Sequence, residues 1–138
     1  MKKKKDWQQL FFKFVESNYN KPFVWGKWDC CLFSNACIKA ITGQSLIPKE
    51  LKWKDEETAM KAIKNYGATL GKSIDKAAKA QKLTKINKVF LQCGDLVIWK
   101  EESEMCGMYD GNTILCPSDD GLETKPTQLA LHGWRIDG

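Results

Sequence analysis

Pro22-Phe23-Val24-Trp25-Gly26-Lys27-Trp28-Asp29-Cys30 runs on through Cys31-Leu32-Phe33-Ser34 to Ile41-Thr42-Gly43. Proline ends the element before it, and the aromatic run around Gly26 reads as a turn. Asp29 carries the short carboxylate that accepts from the free amides of a helix start, and Gly43 is the residue type that closes a helix end. A buried helix is therefore expected over residues 30–41, with Cys30 in its first turn. A thiol there feels the partial positive charge of unpaired amides, which favours the thiolate. Two readings are open at this point. Asp29 is a cap and Cys30 a small buried side chain, or Cys30 is the nucleophile of a cysteine hydrolase with a backbone amide to hold the oxyanion.

Outward from this helix, Trp7, Leu10, Phe11, Phe14 and Val15 recur at spacings of three and four, the stripe of a first helix packed on a core. Asp55 opens a third helical segment with Ala59, Met60, Ile63 and Tyr66 on one face and Gly67 as its stop. A weaker fourth covers residues 73–83. From Cys93 onward the pattern changes to short strands over residues 96–99, 106–109, 113–116 and 134–136, separated by Gly111, Pro117, Gly121 and Pro126. Helices followed by an antiparallel sheet make an α+β chain, with N-terminal helices packed on a small sheet.

The 138 residues suit one domain, 1–138, and a 43% hydrophobic composition suffices for a core without disulfide staples. The formal net charge is +5, but Lys2 to Lys5 supply four of those charges, which leaves +1 for the rest. Residues 1–5 are expected to be a solvated, disordered basic tail. Arg135 is the only arginine, and base or phosphate recognition usually relies on that side chain, so no nucleic-acid partner is expected. Asp6, Gln8, Gln9 and Lys13 interrupt the apolar run that a signal peptide would need, and no stretch reads as a membrane span. The expectation is a chain made in the cytoplasm without a signal peptide.

Six cysteines, Cys30, Cys31, Cys37, Cys93, Cys106 and Cys116, are read as free thiols, mostly small buried hydrophobes. There is no Cys-x-x-Cys pair, and adjacent Cys30 and Cys31 should point in different directions on a helix. No metal or cofactor is expected, although a thiol-based metal or redox site using Cys30, Cys106 and Cys116 is a third-ranked reading.

The aromatic-Trp-Gly stretch that ends in Asp29-Cys30 resembles the segment leading to the nucleophile in NlpC/P60 proteins, which are papain-type cysteine peptidases. Cys93-Gly94-Asp95-Leu96-Val97 resembles that family's Gly-Asp-Leu-Val strand, and Gly107-Met108-Tyr109 with Gly111-Asn112 resembles its Gly-Ile-Tyr...Gly-Asn hairpin. The pieces fall in the family's order. With the Thr42-Gly43 helix end, Gly121-Leu122 and Trp134-Arg135-Ile136, the pattern looks most like a small NlpC/P60-like family encoded among bacteriophage tail genes. The resemblance implies a papain-like fold, Cys30 as nucleophile, and a place at the tail tip or baseplate of a virion, beside other tail proteins and within reach of host peptidoglycan peptides.

The resemblance also implies where the chemistry is missing. The position of the family's general-base histidine holds Met105, and the third polar position falls near Cys116. Methionine transfers no proton, and loss of the base removes roughly a hundredfold to ten-thousandfold in rate. His132, the one histidine, either rebuilds a Cys-His pair with Cys30 or is a surface residue before Gly133. Phe23, Trp25 and Trp28 either line a peptide or sugar groove or belong to the core. The leading expectation is thus a catalytically degenerate, structural tail-tip protein. The alternative is an active cysteine hydrolase cleaving peptidoglycan stem peptides, with Cys30 as nucleophile and His132 as base.

Overall fold

The computed structural model describes residues 1–137. Among them, four α-helices come first: α1 (Trp7–Ser17), α2 (Cys30–Thr42), α3 (Glu56–Gly67) and α4 (Leu70–Ala80). Six strands follow: β1 (Thr84–Asn87), β2 (Leu96–Lys100), β3 (Glu104–Tyr109), β4 (Ile114–Ser118), β5 (Gly121–Lys125) and β6 (Ala130–Arg135). They form one antiparallel sheet in the order β1-β6-β2-β3-β4-β5. The chain is α+β, as its hydrophobic patterning implies.

The helix boundaries follow from local chemistry. Asp29 is the N-cap of α2, its carboxylate accepting from the Leu32 amide at 2.9 Å, and Gly43 closes the helix in the left-handed conformation at φ 82°. Asp55 and Thr58 cap α3 reciprocally, side chain to backbone in both directions. Thr69 starts α4 at Leu70, three residues earlier than the sequence suggests. β1 and β5 are the two strands that the patterning does not show.

One face of the sheet carries the main core. Ile98, Cys106, Met108, Leu115 and Trp134 pack there against Phe11, Phe33, Ile38 and Ile41 of α1 and α2 and against Ile74 and Ala78 of α4. The other face holds Val97, Trp99, Tyr109, Ile114 and Cys116, covered by Leu91, Leu129 and Met105. Full burial of each large aliphatic or aromatic side chain contributes about 1.5–3 kcal/mol. Cys106 and Cys116 therefore sit on opposite faces, because side chains alternate along a strand.

The lysine segment at the start is not a free tail. The Lys4 amide donates to the Ile41 carbonyl at 2.8 Å, Met1 packs on the main core, and Lys3 Nζ lies 4.1 Å from the Trp7 ring centroid. A half-buried lysine whose stem and ammonium pack on the Trp7 face explains the order. No helix among the described residues is long and apolar enough to cross a membrane.

Candidate functional site around Cys30

Residues 22–29 form a tight loop rather than an open lead-in. Val24 and Trp28 exchange backbone hydrogen bonds of 3.1 and 2.7 Å across Gly26, and the Phe23 amide reaches Ser118 at 2.8 Å. Gly26 has φ 79°, and a Cβ there would stand 2.3 Å from the Lys54 carbonyl carbon. Only glycine satisfies both the turn and that close approach. Asp29, 1% exposed, does more than cap α2: its other carboxylate oxygen accepts from Gly26 N at 3.1 Å and from Trp53 Nε1 at 2.7 Å. Cys30 is thereby fixed at the helix start from three directions.

A cleft of about 570 Å³ opens over this point. Asp29, Cys30 and Cys31 form its floor, Trp53 and the α3 residues Glu56 and Met60 one wall, and Glu102, Glu104 and Met105 of the β2–β3 hairpin the other. The segment after α2 therefore walls the cleft without closing it. Glu104 is held in place by the Gly71 amide at the start of α4, at 3.1 Å.

The aromatic residues singled out in the sequence divide. Trp25 lines the cleft, with Phe23 stacked edge-on against it at 5.0 Å. Trp28 is core: 6% exposed, it packs on Phe14 and Phe33, and Lys21 Nζ covers its ring at 3.9 Å. Trp53 is the cleft aromatic that the sequence does not reveal, since its neighbours Lys52 and Lys54 give it no periodic partner.

The immediate surroundings of Cys30 are sulfur. Its Sγ lies within 4.8 Å of both Cys31 and Cys106, and the Cys106 and Cys31 sulfurs are 3.9 Å apart. At the first two positions of a helix, adjacent thiols converge on a partner from the sheet, contrary to the divergence expected from helix geometry alone. The Cys106 thiol donates to Cys31 Sγ, and the neighbouring Cys106 and Cys31 thiols hold the Cys30 thiol well below its ordinary value while their own are raised. The three sulfurs thus form one coupled cluster at the positive end of α2, with Cys30 its most acidic thiol.

Among the described residues, none of the three positions that the sequence marks for proton transfer brings a base to Cys30. Met105 lines the cleft but has no basic atom, and Cys116 faces the other side of the sheet with Val97 and Trp99. Burial pushes the Cys116 thiol up to about 12. His132 pairs with Ile98, which in turn pairs with Cys106, so it stands two strands away, roughly 10 Å along the hydrogen-bonding direction. Its ring packs edge-on against Trp134 at 4.9 Å, and its charged neighbours are Lys85, Asp75 and Glu104. The Cys30-His132 pair is not formed.

Arg135 is also committed, through Nε to Asp95 Oδ1 at 2.7 Å and a second nitrogen to Oδ2 at 3.1 Å. Asp95 is fully buried. The chain's one guanidinium is therefore structural.

A family model described as a domain of unknown function, DUF6950, matches residues 2–136. No curated protein matches the chain.

Proposed function

The chain belongs to the DUF6950 family, and from the site it carries we propose that it is a non-hydrolytic protein of the papain-like, NlpC/P60 type, serving as a structural part of a bacteriophage tail tip. The observation that carries the loss of catalysis is the setting of Cys30. A thiol at a helix start supplies half of a cysteine-hydrolase site, and the position that the resemblance assigns to the base holds Met105, with the Cys31 and Cys106 sulfurs as near neighbours of Cys30. What remains is a rigid cleft with Trp25 and Trp53 on its surface, suited to holding an extended peptide segment of a neighbouring protein. The tail-tip role itself rests on the resemblance of the Pro22 to Cys30 segment and of the Gly94 to Asn112 pieces to phage-encoded NlpC/P60-like proteins.

The test has two measurements. Purified chain is incubated with cell-wall stem peptides at roughly pH 6 to 9, which brackets thiol and imidazole titration, and products are followed by mass spectrometry. No Cys30-dependent release is expected, and turnover abolished by Cys30→Ala would overturn the non-hydrolytic reading. Virions assembled with the chain present are then purified and their proteins identified. Its presence at tail stoichiometry is expected, and its absence from intact virions would reject the structural role.

A further inference from the structure

We propose that Cys30, Cys31 and Cys106 form a binding site for one thiophilic d10 cation, zinc(II) or copper(I), at the floor of the cleft. The three sulfurs lie within 4.8 Å of one another, with one pair at 3.9 Å. An ion bonded to sulfur at about 2.3 Å keeps its sulfurs roughly 3.8 to 4.0 Å apart, whether the arrangement is tetrahedral or trigonal. Closing the triangle on an ion therefore takes sulfur shifts of less than about 1 Å. Among the described residues this is the one group of three or more cysteine, histidine or carboxylate side chains that converges in this way.

The setting matches what such an ion requires. Thiolate sets favour zinc and copper(I) over magnesium, calcium and manganese. Two ligands start a capped helix and the third comes from a central strand, so all three are held by rigid elements. Ser34 Oγ lies 3.7 Å from Cys106 Sγ and supplies a hydrogen-bonding group just outside the sulfurs. The amides of the first turn of α2 place partial positive charge beside the thiolates. Cys30 and Cys31 line the cleft, whose rim sets Glu56, Glu102 and Glu104 against the single cation Lys100, so a metal ion has a path and a net attractive field. The thiols bind as thiolates, and their protons leave to solvent with no change in oxidation state. Copper(I) is complete with three sulfurs, whereas zinc takes a fourth ligand, a water from the cleft. The thiols would hold the ion whether or not the chain is part of a virion.

The full chain, reduced and kept anaerobic, is titrated with zinc(II), with cobalt(II) as its spectroscopic stand-in, and separately with copper(I). The expected result is one ion per chain, a sulfur-to-cobalt charge-transfer band, and protection of Cys30, Cys31 and Cys106, but not Cys93, from alkylation as mapped by peptide mass. Cys31→Ser and Cys106→Ser should each lose the band, and Cys93→Ser and Cys116→Ser should keep it. X-ray absorption showing three sulfurs and one oxygen assigns zinc, and three sulfurs alone assign copper(I). Where Cys106→Ser does not fold, the protection pattern of the unaltered chain decides alone. Absence of saturable binding of either ion, protection of a different cysteine set, or binding unchanged in Cys31→Ser would overturn the site. Hydrolysis and virion content are separate readouts, so failure here leaves the proposed function standing, and the reverse holds too.

Discussion

The indole N–H of Trp53 donates to Oδ2 of Asp29 over 2.7 Å, and so fastens the segment after α2 to the cap of the helix that carries Cys30. A buried carboxylate thus joins a helix start, a glycine turn and a cleft wall through three hydrogen bonds. Cap loss costs about 1 kcal/mol and a hydrogen bond to a charged group about 1.5–3 kcal/mol. Asp29→Ala should therefore lower unfolding stability by about 2–4 kcal/mol, and Trp53→Phe by about 2. In the double variant the two losses should add to less than their sum, because both remove one bond. Denaturant titration of the four chains checks this, and strict additivity would show that the bond is energetically idle.

Gly26 and Gly43 share a left-handed backbone, at φ 79° and 82°, but differ in their surroundings. A Cβ at Gly26 would collide with Lys54 backbone at 2.3 Å, whereas at Gly43 the nearest atom is the flexible Lys4 Cε at 3.5 Å. Gly43→Ala should cost only the conformational penalty of about 1–2 kcal/mol. Gly26→Ala should cost at least about 2 kcal/mol more, since backbone must move apart. Equal unfolding midpoints for the two variants would contradict the close approach.

The Arg135-Asp95 pair is bidentate and its carboxylate is fully buried, while the Arg135 side chain is 26% exposed. Lysine offers a point charge in place of the planar fork. Arg135→Lys should destabilise by about 1–3 kcal/mol, and Arg135→Met by more, toward the 3–5 kcal/mol range for a buried charge left without its partner. Thermal unfolding at low and high salt measures both, and little salt sensitivity is expected for so enclosed a pair.

His132 is held below the usual histidine value by burial and then by Lys85, with Asp75 and Glu104 opposing. The unfolded chain therefore takes up this proton at higher pH than the folded one. The resulting stability is present above the unfolded midpoint of about 6.5 and is lost as pH falls through it toward the folded midpoint. As the one histidine, His132 gives a single imidazole signal in NMR, and its midpoint should lie below about 6.5. Lys85→Gln should move it upward, and a midpoint unaffected by that change would remove Lys85 as a cause.

Thiol reactivity should separate the cysteines outside the cluster. Cys93 is half-buried, and Cys37 and Cys116 are buried with strongly raised thiols, Cys116 to about 12. In the folded chain at neutral pH, alkylation should reach Cys93 well before Cys37 or Cys116, and peptide mapping of a time course reads the order. Early labelling of Cys37 would mean that α2 opens locally.

The sequence by itself determined the local elements around Cys30. Asp29 and Gly43 fix the ends of α2 because capping is a property of a few neighbouring atoms, and Asp55 starts α3 in the same way, whereas α3 runs through Gly67 and takes its positive-φ cap at Ala68. Four of the six strands were legible because their apolar residues face a core on one side or both. β1 and β5 were not, because they are the sheet's two edges, with largely polar, half-exposed sequences, and only the neighbouring strand makes them strands. Lys2 to Lys5 read as a tail because charge is visible in sequence and the apolar surface beneath a lysine stem is not. The site divides along the same line. Cys30 was marked by its cap, one residue away, whereas the sulfur partner Cys106, the cleft residue Trp53 and the distance to His132 depend on contacts across the chain. Strand register and helix docking decide those contacts, and neither is written in any one stretch of residues.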